Sequence, residues 1–193
     1  FNMDTSDPHA FGALVRPDAY TEMRWQQQEA MHEARKVFRQ VEDEWEAITG
    51  RRYGAVEAYR VEDADLLLVT SGTITSTARH VVDERRADGE TVGLIKVKMF
   101  RPFPTDELRD LLGGVDRVAV LDRNISPGHG GIFAEEIRAA LYAVPPEDRP
   151  NLFGYVLGLG GRDVTPAVID GIIVNTRSKA RPEREDLWVG VEL

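Results

Sequence analysis

The residues with a capacity for chemistry fall in four short segments rich in glycine, small hydroxyl side chains or arginine. They are Ser71-Gly72-Thr73, the arginine of Arg101-Pro102-Phe103, the run from Asp122-Arg123 through Ser126, Gly128, Gly130 and Gly131, and Gly158-Leu159-Gly160-Gly161-Arg162-Asp163. Turns of this composition expose backbone amides beside a helix start, where partial positive charge attracts anions. Arg101, Arg123 and Arg162 add the means to grip a phosphate or carboxylate with paired hydrogen bonds. The plainer reading of the same glycines is tight-turn geometry or subunit contact. Neither Gly128-His129-Gly130-Gly131 nor Gly158-Leu159-Gly160-Gly161 has the GxGxxG spacing, and no Walker lysine is present. His129, flanked by glycines, has the type of an acid, base or ligand, against the simpler reading of a loop histidine packing on a neighbour. His9, His32 and His80 are dispersed, no His/Asp/Glu cluster has metal-ligand spacing, and no GxSxG elbow exists. The sequence therefore assigns no catalytic residue and no metal ligand.

The elements that must position these segments can be read from hydrophobic period. Thr91 to Phe100 alternates and then runs apolar, which predicts a buried strand. Arg101-Pro102-Phe103-Pro104 stops it. Thr105 has the type of an N-cap, followed by acidic residues in the first turn and by Leu108, Leu111 and Leu112 on one stripe, until Gly113-Gly114. Val115 to Leu121 reads as the next buried strand, and Ile132 to Ala143 as a helix. Upstream, Asp18 is placed to cap a long helix over Ala19 to Thr49, with apolar steps at Met23, Ala30, Met31, Ala34, Val37, Phe38, Val41, Trp45 and Ile48, and with Gly50 closing it. Arg52 to Val61 suggests an edge strand, Leu66 to Thr70 a fully buried one, and Ile74 to Ala87 a helix. Downstream, Pro145 to Pro150 is a rigid loop, Leu152 to Leu157 a strand, Thr165-Pro166 a helix start, and Val168 to Thr176 a short helix. Ser178 to Asp186 is charged and aperiodic, and Leu187 to Val191 is a short apolar tail.

Strands alternating with helices predict an α/β fold: a three-layer α/β/α sandwich on a mixed, mostly parallel five-stranded sheet. The expected division is 1–50 for the N-terminal loop and long helix, 51–176 for the sandwich core, and 177–193 for the linker and tail. In such a sheet all four segments leave the carboxyl ends of parallel strands, where ligands and partners meet the fold.

Composition narrows the function. The 193 residues carry 24 Lys and Arg against 33 Asp and Glu, a formal charge of −9, which argues against a broad nucleic-acid surface but permits a local anion site. There is no cysteine, so disulfides, thiolate metal sites and cysteine-ligated iron–sulfur clusters are excluded within these residues. No apolar run reaches the ~18–20 residues of a membrane span. No signal peptide is visible, and a cytoplasmic location is expected. Phe1-Asn2-Met3 followed by a start in mid-theme at Asp4 fits a piece of a longer protein.

Several separated motifs then occur in one order. Gly93-Leu94-Ile95-Lys96-Val97 leads to Phe100-Arg101-Pro102-Phe103-Pro104, followed by Val118-Ala119-Val120-Leu121-Asp122-Arg123 and Gly158-Leu159-Gly160-Gly161-Arg162-Asp163. Phe11-Gly12, Arg51, Tyr53-Gly54, Tyr59 and Ser71-Gly72 precede them. From about Asp7 to Thr176 the chain resembles the α subunit of pyruvate (2-oxoacid):ferredoxin/flavodoxin oxidoreductases, at the second domain, which is similar to the C-terminal domain of transketolase.

The resemblance implies that the complete enzyme oxidatively decarboxylates a 2-oxoacid using thiamine diphosphate and coenzyme A. It passes electrons through iron–sulfur clusters to ferredoxin or flavodoxin. It implies that the thiamine-binding and iron–sulfur components are partners on other domains or subunits. The thiamine motif GDG with a distant NN is absent here. The expectation is thus a structural domain that binds no cofactor alone and turns its glycine-bearing loops toward neighbours. The rival expectation is a stand-alone module binding a nucleotide or other anion at the sheet's carboxyl edge.

Overall fold

The computed structural model describes residues 4–9, 12 and 14–192; Phe1-Asn2-Met3 and Phe11 lie outside the described residues. Helix α1 spans Pro17–Thr49, followed by strands β1 (Val56–Tyr59) and β2 (Leu66–Thr70), helix α2 (Ile74–Ala87), β3 (Val92–Val97), α3 (Thr105–Leu112), β4 (Arg117–Asp122), α4 (Ile132–Leu141), β5 (Asn151–Val156), α5 (Pro166–Ser178) and β6 (Leu187–Trp188).

The strands form one sheet in the order β1-β3-β2-β4-β5-β6, with β1 antiparallel to β3 and every other pair parallel. The five predicted strands are all present, and β1 supplies the antiparallel edge. The sheet has six strands rather than five because the tail, read as an appendage, adds β6. Tyr155 stands opposite Leu187 and Val156 opposite Trp188. Two residues after a charged run carry no period from which to predict a strand.

Both faces of the sheet are covered. Leu66 and Leu68 point into a cluster with Ile74, Ala78, Val81 and Val82 of α2 and Ile169, Ile172 and Ile173 of α5. Leu67 and Val69 point the other way, to Leu108 and Leu112 of α3 and Ala134, Ile137 and Leu141 of α4. The unbroken Leu66-Leu67-Leu68-Val69 run follows from this: a strand between two helical layers has no wet side.

Helix ends show where local chemistry decides. Gly50 closes α1 in the left-handed region at φ 69°, its amide donating to Glu46 O at 2.7 Å. Thr165 caps α5 by accepting from Val168 N at 3.4 Å. Two other expected caps move inside their helices. Pro17, whose fixed φ suits the first helical position, starts α1 ahead of Asp18, leaving Arg16 as the cap residue. Thr105 is the first residue of α3, and its hydroxyl lies 3.5 Å from Phe103 O instead of capping the helix.

α1 is 33 residues, about 50 Å long. No residue of it is fully buried. Met31, Ala34, Arg35, Phe38 and Glu42, at helical spacing, form its half-buried contact stripe. Arg35 donates to Phe103 O, Glu42 accepts from Gly54 N, and Arg52 pairs with Asp43 at 2.7 Å and Glu46 at 2.9 Å. Val37, Val41, Trp45 and Ile48 of the predicted stripe stay exposed, with Trp25 beyond them. Among the described residues no helix is long and apolar enough to cross a membrane.

Gly93 marks the tightest approach in the sheet. A β-carbon there would stand 2.5 Å from Arg60 O and 2.7 Å from Leu67 Cδ2. Gly93→Ala is expected to destabilise the chain by about 2 kcal/mol, because backbone cannot yield as a side chain can. Chemical denaturation measures this, and an unchanged midpoint contradicts the packing.

Candidate functional site

Because β2, β3, β4 and β5 run parallel, the loops that follow them emerge along one rim. The chain turns from β2 toward β3 through α2 on one face, and from β4 toward β5 through α4 on the other. The reversal lies between β2 and β4, the place where such sheets open a crevice. Segment 71–73 stands on one side of it and Arg123 on the other.

Arg123 ties this rim together. Its Nη1 donates to Thr73 Oγ1 at 3.1 Å and its Nη2 to Gly158 O at 3.4 Å, joining the loops after β2, β4 and β5. Gly158 allows the approach. Its φ is 63°, and a β-carbon would stand 2.8 Å from Val164 Cγ2 and 3.0 Å from Arg123 Nε. Gly160, Gly161, Arg162 and Asp163 continue outward and are exposed. Gly72 and Thr73 are exposed and Ser71 is half-buried. Beneath them Thr75 Oγ1 donates to Gly72 O at 2.9 Å and lies 3.0 Å from Thr70 Oγ1, which fixes the turn.

Arg101 belongs to a different corner. It pairs with Glu136 of α4, lies 4.1 Å over the Phe100 ring, and donates to Phe100 O at 2.9 Å. Phe100 in turn meets Phe133 edge-on at 5.3 Å. The Arg101-Pro102 peptide is cis.

Asp122, expected on the rim, is fully buried and serves α4 instead. Its Oδ1 accepts from Phe133 N at 3.0 Å and its Oδ2 from Ala134 N at 2.9 Å, while Asn124 Oδ1 accepts from Ile132 N at 2.9 Å. These are the unpaired amides of a helix's first turn. Gly131 is glycine because any β-carbon there would run into the Asp122 carboxylate. Burial pushes the Asp122 carboxyl above the ordinary carboxylate range, and the Ala134 and Phe133 amides pull it back only in part. Gly130 and Gly131 are buried too, so of this loop the exposed tip is Pro127-Gly128-His129. Ser126 and Gly130 exchange backbone hydrogen bonds of 2.8 and 3.1 Å across that tip. His129 Nε2 stands 3.5 Å from Glu135 Oε2. Among the described residues no group of three or more His, Asp or Glu side chains is placed to hold a metal ion.

A second concentration of charge lies beside the rim, between β3, β1 and the first turns of α2. Arg79, Lys96 and Lys98 converge there around Glu57. The signal was present in Ile95-Lys96-Val97-Lys98, where alternation puts both lysines on the face that carries Val92 and Leu94.

These features define a doubly wound α/β domain. Residues 64–169 match the family described as pyruvate:ferredoxin oxidoreductase core domain II. The pyruvate synthase subunit PorA of Methanothermobacter thermautotrophicus is 41% identical over 98% of the chain, and that of Thermotoga maritima 46% identical over 85%. The chain belongs to the pyruvate:ferredoxin oxidoreductase family, at its core domain II, as the ordered motifs implied. It spans about half the length of the curated relatives it matches, 47% and 41% for these two. A 2-oxoglutarate:ferredoxin oxidoreductase from Magnetococcus marinus, solved with 2-oxoglutarate, coenzyme A and succinyl-CoA bound, shares the fold. It aligns with 77% of this chain and 23% of its own at a TM-score of 0.50 and 22% identity.

Removing the Asp122 carboxylate strands one buried and one half-buried amide, so Asp122→Ala is expected to cost about 2–4 kcal/mol. The pH dependence carries the sign of the raised pKa. Folding favours the protonated form, so Asp122 contributes most stability below the unfolded value of about 4. That contribution is lost as pH rises through the folded pKa. Denaturation of the parent and Asp122→Asn across pH 3–8 is expected to show the parent losing ground to the variant as pH rises. A constant difference contradicts it.

Proposed function

We propose that this chain is the assembly domain of a thiamine-diphosphate-dependent 2-oxoacid:ferredoxin or flavodoxin oxidoreductase, cytoplasmic in location. In the complete enzyme a 2-oxoacid such as pyruvate is decarboxylated oxidatively to an acyl-coenzyme A and carbon dioxide. The observation that carries this reading is the 41% identity to a pyruvate synthase subunit along 98% of the chain. The chain matching only about half of that subunit fits a role as one domain among several.

The residues present do not fit the redox and thiamine groups of such an enzyme. There is no cysteine for an iron–sulfur cluster and no GDG thiamine motif. The chemistry is therefore assigned to the other components. The part left to this chain is to hold a rigid rim against them, since small misplacements of reacting groups cost large rate factors. The loops 71–73, 127–129 and 160–163, exposed apart from the half-buried Ser71, are the proposed contact points. Arg162 is exposed, and Arg123, exposed as well, braces the loops to one another.

In the complete enzyme, Arg162→Ala is expected to weaken assembly about tenfold, the scale of an interface arginine. Arg123→Ala is expected to lower turnover through a loosened rim, with the secondary structure retained. Sedimentation measures the first and ferredoxin-linked oxidation of the 2-oxoacid the second. Unchanged assembly and unchanged turnover in both variants would remove the proposal.

A further inference from the structure

The side of β3 that faces α2 changes character along its length. Val92 and Leu94 are buried in the core, and Lys96 and Lys98 follow on the same face at the two-residue period of a strand. They open into a recess of about 460 Å³ lined by Arg79, Lys96, Lys98, Glu57, Thr73 and Ser76. This is the size of a small-molecule site.

The charge in the recess is unbalanced. Glu57 pairs through Oε1 with Arg79 and through Oε2 with Lys98 at 2.5 Å. Glu57 stands directly opposite Lys96 in the β1–β3 register, yet both of its oxygens are engaged elsewhere. Among the described residues Lys96 has no ion pair or hydrogen-bond partner for its amine, and Arg79 Nε is buried without one. Among the lining residues three cations against one carboxylate leave a formal +2, on a chain whose net charge is −9, with Glu42 acting on Lys98 from outside the lining. Lys98 also donates to Tyr53 O at 2.7 Å; burial first, and then the neighbouring Arg79, push its amine below the ordinary lysine value, with Tyr53 and Glu42 opposing them in part. Thr73 and Ser76 bring hydroxyls to the opposite wall, and Thr73 is held in place by Arg123.

We propose that this recess is an anion site that takes a diphosphate group, either free or carried by a nucleotide. Lysines act as point charges for phosphate oxygens, and the guanidinium of Arg79 adds directed donors. A diphosphate brings at least two negative charges to this positive surplus, and the cations that would meet it come from α2 and from the end of β3 and the residue after it. The site shares Thr73 with the rim loop and its Arg123 brace, but the charges it relies on, Arg79, Lys96 and Lys98, are not among the proposed contact points.

The test is calorimetric titration of the whole 193-residue chain with inorganic pyrophosphate, with ADP and with adenosine, at fixed ionic strength. One saturable site for pyrophosphate is expected, with no heat from adenosine. ADP binding as well assigns the nucleotide source, and exclusion of ADP assigns the free anion. Lys96→Gln, which keeps most of the aliphatic stem, is expected to weaken binding about tenfold, the scale of one charge-assisted hydrogen bond. Its thermal midpoint should stay unchanged. Lys98→Gln serves as the second variant, and Lys36→Gln on the exposed face of α1 should bind as the parent does. Failure of pyrophosphate to bind overturns the proposal, whether an acidic segment of a partner fills the recess instead or nothing does. So does binding that is indifferent to both Lys96→Gln and Lys98→Gln.

Discussion

The structure depends on four strands pointing the same way between two helical layers. A parallel strand cannot return through a tight hairpin, so each is followed by a crossover helix that seals one face. Once β2, β3, β4 and β5 are committed to this arrangement, their trailing loops must share one edge. Burial on both faces fixes the strands from Leu66 to Val156, and the loops inherit their positions from a core that cannot shift. Charged and glycine-rich segments that are distant in the chain, such as Thr73, Arg123 and Gly158, meet for that reason alone.

The elements legible in the sequence were those with an unambiguous period. Leu66 to Val69 announced a strand buried on both sides, and Ile74 to Ala87 an amphipathic helix. The edge position of the strand near Tyr59 was legible because Glu57 and Arg60 interrupt its apolar residues. β6 was not, since Leu187-Trp188 is too short to show a period and owes its pairing to Tyr155 and Val156. The caps at Asp18 and Thr105 went astray because the residue types that cap a helix are also acceptable within its first turn. A proline or a loop contact then settles which role is taken.

The loops after the parallel strands do leave the sheet along one rim, but the sequence did not show which way their side chains turn. Spacing identified the strand end at Asp122 but could not say which way its carboxylate turns. The free amides of α4 draw it inward, and Gly131 is the residue that makes room. Arg123, one position later, points out of the pleat and becomes the brace between loops. The lysines at 96 and 98 were overlooked because a strand with two lysines near its end resembles an ordinary wet edge. Only the position of α2 shows that they face a covered side.

The two margins of the sheet have a consequence for how this domain meets other polypeptides. One margin is the four-residue β1, set against the direction of its neighbours, and the other is the two-residue β6. Both are too short to template a further ladder, and such blunted borders disfavour growth by strand addition. Lateral recruitment of another copy, and the fibrous aggregation that can follow from it, are thereby discouraged. Borders of this kind leave docking of preformed surfaces, in which no backbone needs to be rewoven, as the favoured mode of association.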